Sequence, residues 1–430
     1  MTWKDMSKTD TLRGPFLLAG IFVFLMLVPL AAVAQHPTGS RFLPAVTYSS
    51  GGSFGNAVAV GDLNGDGKPD LVVANGYNAD NNGGVGVMLG NGDGTFQPGV
   101  TYDSGGTASF ANSIAIADVN GDGKVDLVVA DSCNDSDCKN GSWVAVLLGN
   151  GDGTFQKAVK RRSGGAAWAV VVADVNGDGT PDLIVGNVCS GTNDILTCTE
   201  GGSVAVLLGT GNGEFMTAQT YNMNEPGSYS LSVGDLNGDG KLDVIMTSFC
   251  TDQGCANGGD VGVFLGNGDG TFQPVVTYMT GGFANAVAVA DLNGDGKLDV
   301  AVANGGSDTV SVFLGNGDGT LQAPTIYSSA GYAYAIAIGD VNQDGKPDLV
   351  VTTGDYTMIG EVSILPGDGN GRFRSPIAYS TLEFGADSVA IADLNGDGRP
   401  DLAVANYCNS SSCTAGRAGS VAVLLHAGAH

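Results

Sequence analysis

The chain has 430 residues, 70 of them glycine, with a formal net charge of −26, eight cysteines and three histidines. That charge repels phosphate backbones and excludes nucleic acid as a partner. His36, His426 and His430 lie near the ends, which leaves no interior imidazole for Ser-His-Asp or Cys-His catalysis.

In chain order, residues 1–34 read as a secretory signal peptide. Lys4, Lys8 and Arg13 precede an apolar run from Phe16 to Leu30, and Ala32-Val33-Ala34 offers a small-residue cleavage site. Gly14 to Ala34 also approaches the length of a membrane span, so an uncleaved N-terminal anchor is the alternative. Either reading places residues 35–430 outside the cytoplasm, secreted or at the cell surface. Next comes Arg41-Phe-Leu-Pro-Ala-Val-Thr-Tyr48, a strand with no unit before it, which matches Thr95 to Tyr102 further on.

A nine-residue pattern, Asp-x-Asn-x-Asp-Gly-x-x-Asp, then recurs seven times. Position 1 is Asp62, Asp118, Asp174, Asp235, Asp291, Asp340 and Asp393. Position 3 is Asn64, Asn120, Asn176, Asn237, Asn293, Asn342 and Asn395. Position 5 is Asp66, Asp122, Asp178, Asp239, Asp295, Asp344 and Asp397. Position 9 is Asp70, Asp126, Asp182, Asp243, Asp299, Asp348 and Asp401. All are hard oxygen donors around a glycine turn, the set that Ca²⁺ takes. An EF-hand is excluded, because position 12 is Val73, Val129, Val185, Met246, Val302, Val351 and Val404 where a bidentate Glu is required. The flanks, Asn56 to Asp62 and Asp70 to Ala74 in the first copy, are Val-rich runs of strand length rather than helices.

The copies are spaced 56, 56, 61, 56, 49 and 53 residues apart, the period of a propeller or solenoid repeat. Each unit continues with a second motif, Val85-Gly-Val-Met-Leu-Gly-Asn-Gly-Asp-Gly-Thr-Phe96 in the first, repeated from Val144, Val204, Val261, Val310 and Val362. The Asn-Gly-Asp-Gly turn is a strong hairpin signal, and Asp93 reads as a turn residue rather than a ligand. A fourth strand follows, Pro98 to Tyr102 in the first unit. The last unit stops at Val421 to Leu425 without one. The expectation is an all-β, seven-bladed β-propeller of four-stranded antiparallel blades, with the N-terminal strand completing the last blade and removing the open edge.

These units resemble the FG-GAP/VCBS repeats of integrin α-subunit propellers and bacterial surface proteins. Phe54-Gly55 is the eponymous pair, and the likeness spans residues 40 to 430. The resemblance, like general loop chemistry, implies a backbone carbonyl ligand at position 7: Lys68, Lys124, Thr180, Lys241, Lys297, Lys346 and Arg399. One departure is Gln343 at position 4 of the sixth loop, where a strained turn is expected. About seven Ca²⁺ are implied. Three carboxylates in each of seven loops account for 21 of the 44 acidic residues.

The cysteines fall in local pairs, Cys133/Cys138, Cys189/Cys198, Cys250/Cys255 and Cys408/Cys413, each between the second and third strands of one unit. In an exported chain these read as disulfides. The same face of the ring varies between units and carries Tyr77, Phe110, Trp168, Tyr229, Phe249, Phe283, Tyr332, Tyr334, Tyr356, Phe384 and Tyr407, either a ligand rim or wedges between blades. Lys157, Lys160, Arg161 and Arg162 form the one basic cluster, read as a solvated outer strand. The expected function is a calcium-stabilised binding or adhesion module for glycans or cell-surface proteins. The alternative is a structural component of an exported envelope assembly. Carbohydrate-active chemistry ranks behind both, because the acidic residues outside the loops show no convergent pattern.

Overall fold

The computed structural model describes residues 41–80, 82–105, 111–131, 142–190, 201–223, 225, 227, 229–250, 258–354, 358–409 and 418–428. The signal or anchor segment lies outside them. Among the described residues every regular element is a β-strand, and no helix is long and apolar enough to cross a membrane.

The first unit contains β1 (Val46–Gly61), β2 (Asp70–Tyr77), β3 (Gly84–Met88) and β4 (Val100–Asp103). The second has β5 (Ala111–Ala117), β6 (Asp126–Asp131), β7 (Trp143–Leu147) and β8 (Val159–Arg162). The third has β9 (Gly165–Ala173), β10 (Asp182–Ser190), β11 (Ser203–Leu207) and β12 (Gln219–Asn222). The fourth has β13 (Leu231–Gly234), β14 (Asp243–Ser248), β15 (Asp260–Phe264) and β16 (Val276–Met279). The fifth has β17 (Phe283–Ala290), β18 (Asp299–Gly305), β19 (Thr309–Phe313) and β20 (Thr325–Ser328). The sixth begins with β21 (Ala333–Gly339), β22 (Asp348–Thr353) and β23 (Ile359–Leu365). The chain ends with β24 (Ile377–Ala392), β25 (Asp401–Cys408) and β26 (Ala418–Leu424).

Strands within a unit pair antiparallel in chain order. Two long strands serve two units each. β1 pairs with β26 through Val46–Ser49 and with β2 through Ser53–Gly61. β24 likewise pairs first with β23 and then with β25. The N-terminal segment expected to complete the last unit does pair with its third strand. The Leu43 amide donates to the Leu425 carbonyl (2.8 Å), and Phe42 bridges His426 as Phe96 bridges Gly90.

The first strands touch in a cycle: β1, β5, β9, β13, β17, β21, β24 and again β1. Second and third strands are buried on both faces, so they read as continuous apolar runs, whereas fourth strands are largely exposed. The core lies between successive units. Val72, Ala74, Val85 and Val87 pack against Leu127, Val129, Ala145 and Leu147, and equivalent layers recur around the ring. Each layer is closed by two residues from the connections. The apolar residue at loop position 2 (Leu63, Val119, Val175, Leu236, Leu292, Val341, Leu394) enters the layer with the next unit. The hairpin aromatic enters the layer with the preceding one, as Phe155 does, and meets the fourth-strand Tyr102 edge-on at 5.6 Å. A sheet that hides both faces against its neighbours has no other core, so layer contacts carry the stability.

Truncating a position-2 residue should therefore loosen a whole layer. Leu63→Ala is expected to lower stability by about 2–5 kcal/mol, read as a shift of the urea midpoint, while an exposed Leu43→Ala moves it far less.

Candidate metal loops and the opposite face

The seven Asp-rich loops share one end of the ring, and six of them share one internal bonding scheme. In the first, Asp62 Oδ1 accepts from the Gly65 (2.8 Å) and Asp66 (3.2 Å) amides and Oδ2 from the Gly67 amide (2.8 Å). Asn64 Oδ1 accepts from the Asp66 amide and Asp66 Oδ1 from the Lys68 amide. Positive φ at Gly65 (74°) and Gly67 (79°) lets the chain wrap the carboxylate this tightly. The carboxylates at positions 1 and 5 remain at the surface.

Position 9 behaves differently. Asp70 is fully buried; its Oδ2 accepts from the Leu63 amide (2.9 Å) and its Oδ1 from the Gly90 amide (2.7 Å). One carboxylate thus ties the loop's entry to the hairpin of the same unit. The same two bonds recur at Asp126, Asp182, Asp243 and Asp299. In the last unit Asp401 takes the His426 amide in place of a glycine amide. Burial raises these carboxyls above the usual range, with the loop's other carboxylates adding to the effect, and to about 6 at Asp348 and Asp401.

Five loops carry Lys at position 7. The stem of Lys68 lies over Gly92 of the hairpin turn, and its ammonium stands 3.5 Å from Asp66. Lys124, Lys241 and Lys297 pair the same way at 3.6–4.0 Å. These exposed pairs are weak. Asp93 Oδ1 accepts from the Thr95 amide (3.0 Å) and hydroxyl (2.5 Å) within the hairpin turn, and these bonds hold its carboxyl below the ordinary range.

The sixth loop departs from the scheme. Gln343 takes a φ of 56°, the strained turn expected there. The Asn342 side-chain amide turns inward and donates to Asp348 Oδ1 (2.9 Å), leaving its own oxygen and Asp348 Oδ2 buried without partners. The Val341 amide bonds the Gly339 carbonyl instead. Gln343 Nε2 in turn reaches the Gly398 carbonyl of the seventh loop (3.1 Å).

Among the described residues, no three His, Cys, Asp or Glu side chains stand as a ready-made metal cluster. The carboxylates are turned onto backbone amides, and each loop's set is completed only by an Asn oxygen and a main-chain carbonyl. The donor chemistry fits a hard divalent cation: each loop gathers three carboxylates against at most one exposed basic side chain.

At the other end, the aromatic candidates are half-buried and touch one another. Trp168 meets Tyr229 (5.1 Å), Tyr229 meets Phe249 (5.3 Å), and Phe249 stacks on Phe283 (4.8 Å). Tyr332 and Tyr334 lie 4.7 Å apart. Phe54, at a φ of 58°, is wedged against Tyr77 and Tyr407. Phe384 heads the inner part of β24 and pairs with Cys408. Phe110 and Tyr356 lie outside the described residues. So do Cys133, Cys138, Cys198, Cys255 and Cys413; Cys189, Cys250 and Cys408 are buried, and none of the described cysteines is free. In the basic cluster, Arg161 pairs with Glu214, and Arg162 lies over the Trp143 ring at 4.9 Å.

One level of this end was not read from the sequence. The ladder of the first strands skips a residue at Asn56, Asn112, Trp168, Asn285 and Asp387. Each lies six residues before its loop's first Asp, as do Tyr229 and Tyr334. Such bulges re-aim the extra side chain. The Asn56 amide group reaches the Ala111 carbonyl of the next first strand, and Asn285 reaches that of Ala333 (both 2.8 Å), so these side chains follow the inner wall. The constant spacing to the Asp was the available signal.

A cycle of four-stranded antiparallel units, each with an Asp-rich loop between its first two strands, is a repeat β-propeller. The chain belongs to the FG-GAP repeat family. The FG-GAP-like repeat model matches residues 62–129, 119–185, 190–246, 251–302, 291–351 and 343–404, and the FG-GAP repeat model matches 385–424. No curated protein matches the chain. Among solved structures it is similar to BBS1N in complex with ARL6DN, in crystals soaked with mercury and with lead. Each has a TM-score of 0.56 and 13% identity, covering 91% of this chain and 98% of that one. At that identity the likeness shows the fold alone.

Asp243→Ala removes the acceptor of two buried amides, those of Leu236 and Gly266, and is expected to destabilise by about 2–5 kcal/mol in urea unfolding. Gln343→Gly should instead raise stability by about 0.5–1 kcal/mol, because relief of the left-handed backbone outweighs one exposed hydrogen bond.

Proposed function

We propose that this protein is an exported, seven-bladed calcium-binding propeller that recognises glycans or surface proteins through the end opposite its metal loops. The cyclic contacts of the first strands and the double use of β1 and β24 support the blade count. Side chains at positions 1, 3, 5 and 9 and the carbonyl at position 7 would hold Ca²⁺ in each loop. The ion would neutralise carboxylates that now repel one another, and it would bind the entry of the second strand to the end of the first. At about millimolar calcium and a Kd near 10⁻⁴ M, each site adds roughly 1.4 kcal/mol.

The single observation that carries the binding reading is the half-buried aromatic arc from Trp168 to Phe283. Its rings are packed well enough to be rigid yet keep solvent access, as stacking platforms for sugars or apolar side chains require. Family membership favours a binding scaffold, and the BBS1N structures contain a protein partner. Disulfides within the loops of the second, third, fourth and seventh units would fix the rim around this arc. Binding without catalysis is the reading, given the lack of an interior histidine.

Two measurements test it. Chelation with EDTA should lower the melting temperature strongly and readdition of calcium should restore it; an unchanged melt removes the structural role of the metal. In a glycan and surface-protein array, the calcium-loaded protein should give a saturable hit that Trp168→Ala abolishes while the variant stays folded and calcium-loaded, with a melt lowered only modestly by the lost packing. A hit indifferent to Trp168 places recognition elsewhere.

A further inference from the structure

The seam between the sixth and seventh units is built differently from its counterparts. In four other seams a hairpin glycine donates to the position-2 carbonyl of the preceding unit's loop: Gly213 to Val119, Gly270 to Val175, Gly319 to Leu236 and Gly371 to Leu292 (3.1–3.3 Å). The seventh hairpin is assembled from the two chain ends, with Phe42 bridging His426. There a side chain makes the contact instead. Arg41 Nη1 donates to the position-3 carbonyl of the sixth loop, that of Asn342 (2.8 Å). The next residue, Gln343, donates through Nε2 to the Gly398 carbonyl of the seventh loop (3.1 Å). The sixth loop is thus fastened to the seventh unit at two adjacent residues.

That fastening falls on the residue that should supply a ligand. In the other six loops the position-3 Asn oxygen accepts from the position-5 amide at 2.8–2.9 Å, within the same turn as the exposed carboxylates. In the sixth the side chain is reversed: its amide donates to Asp348 Oδ1 (2.9 Å), and its oxygen is sealed from solvent. A sealed oxygen cannot reach an ion on the loop. Asp340 and Asp344 still wrap the amides of Asp344, Gly345 and Lys346 as their equivalents do, so the loop differs by this one donor. Calcium gathers six to eight oxygens, and a loop that must first free one of them binds it less tightly. Freeing it here means breaking the Asn342–Asp348 bond and turning a backbone held on both sides, by Arg41 at the carbonyl of Asn342 and by a left-handed Gln343 after it.

We propose that the sixth loop is the low-affinity calcium site of the ring, about tenfold or more weaker than the other six, with Gln343 and Arg41 as the residues that hold Asn342 out of the ligand set. This rests on the calcium reading of the loops and ranks the sites within it.

The test is equilibrium dialysis of the full-length protein against radioactive calcium. Two phases are expected: six equivalents bound first, and a seventh at about tenfold or more higher free calcium. Asp344→Asn should remove the weak phase alone, whereas Asp295→Asn, the same position in the fifth loop, should remove one tight equivalent. Both variants keep an oxygen for the lysine amide they serve, so the fold does not depend on the change. Gln343→Gly should move the seventh equivalent into the main phase. A single phase of seven equal sites overturns the ranking and leaves the calcium reading standing. A weak phase that survives Asp344→Asn belongs to another loop and overturns the assignment, and one unmoved by Gln343→Gly overturns the part given to that residue. A folded protein that takes up no calcium removes both this inference and the reading beneath it.

Discussion

The fold turns on a buried carboxylate with two backbone partners. Asp70 and its equivalents join the start of the second strand, the entry of the Asp-rich loop and the glycine of the hairpin, just past the ends of the ladders that pair Gly61 with Asp70 and Leu71 with Met88. The tie explains why the loop and hairpin motifs occur together in every unit. It also accounts for the glycine at the hairpin: a Cβ at Gly90 would stand 2.0 Å from the Pro69 carbonyl oxygen. With the loop pinned, the residue at position 2 is aimed into the next layer and the hairpin aromatic into the previous one. One polar interaction thereby orients two apolar ones, and the units stack in only one register.

Much of this was legible in the sequence because the constraint repeats. Four Asp or Asn positions, the hairpin glycines and the Val-rich runs declare strand order and loop placement without any long-range information. The completion of the last unit was legible from the match of Arg41–Tyr48 to Thr95–Tyr102, since a strand without a unit must belong elsewhere. Two features were not. The structural task of position 9 was hidden because a carboxylate that accepts two buried amides looks, in sequence, the same as one read only as a ligand; Asp70's burial and its bonds to Leu63 and Gly90 reveal it. The bulges were hidden because a skipped residue leaves no compositional mark: Asn56, Trp168 and Asp387 share a backbone position but no chemistry.

The sixth and seventh units show what happens where the repeat is broken. With a residue other than glycine at position 4, the loop keeps three of its five internal bonds but loses those of the position-4 amide and the Asn oxygen, and Asn342 folds onto Asp348. Gln343 partly compensates by bonding the seventh loop. In the seventh unit the hairpin is split between the two ends of the chain, with His426 and Phe42 standing where a glycine and a phenylalanine stand elsewhere. The same interactions are made from different residues, which argues that geometry rather than residue identity is what each unit must preserve.

The two ends of the ring consequently obey different rules. At the loop end the carboxylates of the motif are committed to backbone amides, so variation there is punished and the units look alike. At the other end the ladder resumes on the far side of the bulge, so the skipped residue has no ladder bond to make: the Asn56 and Asn285 side chains bond the next first strand, whereas Asn112 Nδ2 and Asp387 Oδ1 have no partner. A position released from the fold yet fixed in space by it is where recognition chemistry can differ from unit to unit without disturbing the scaffold. The uniform end holds the ring together, and the freedom this leaves at the opposite end is what allows amide, aromatic and carboxylate groups to occupy one and the same backbone position.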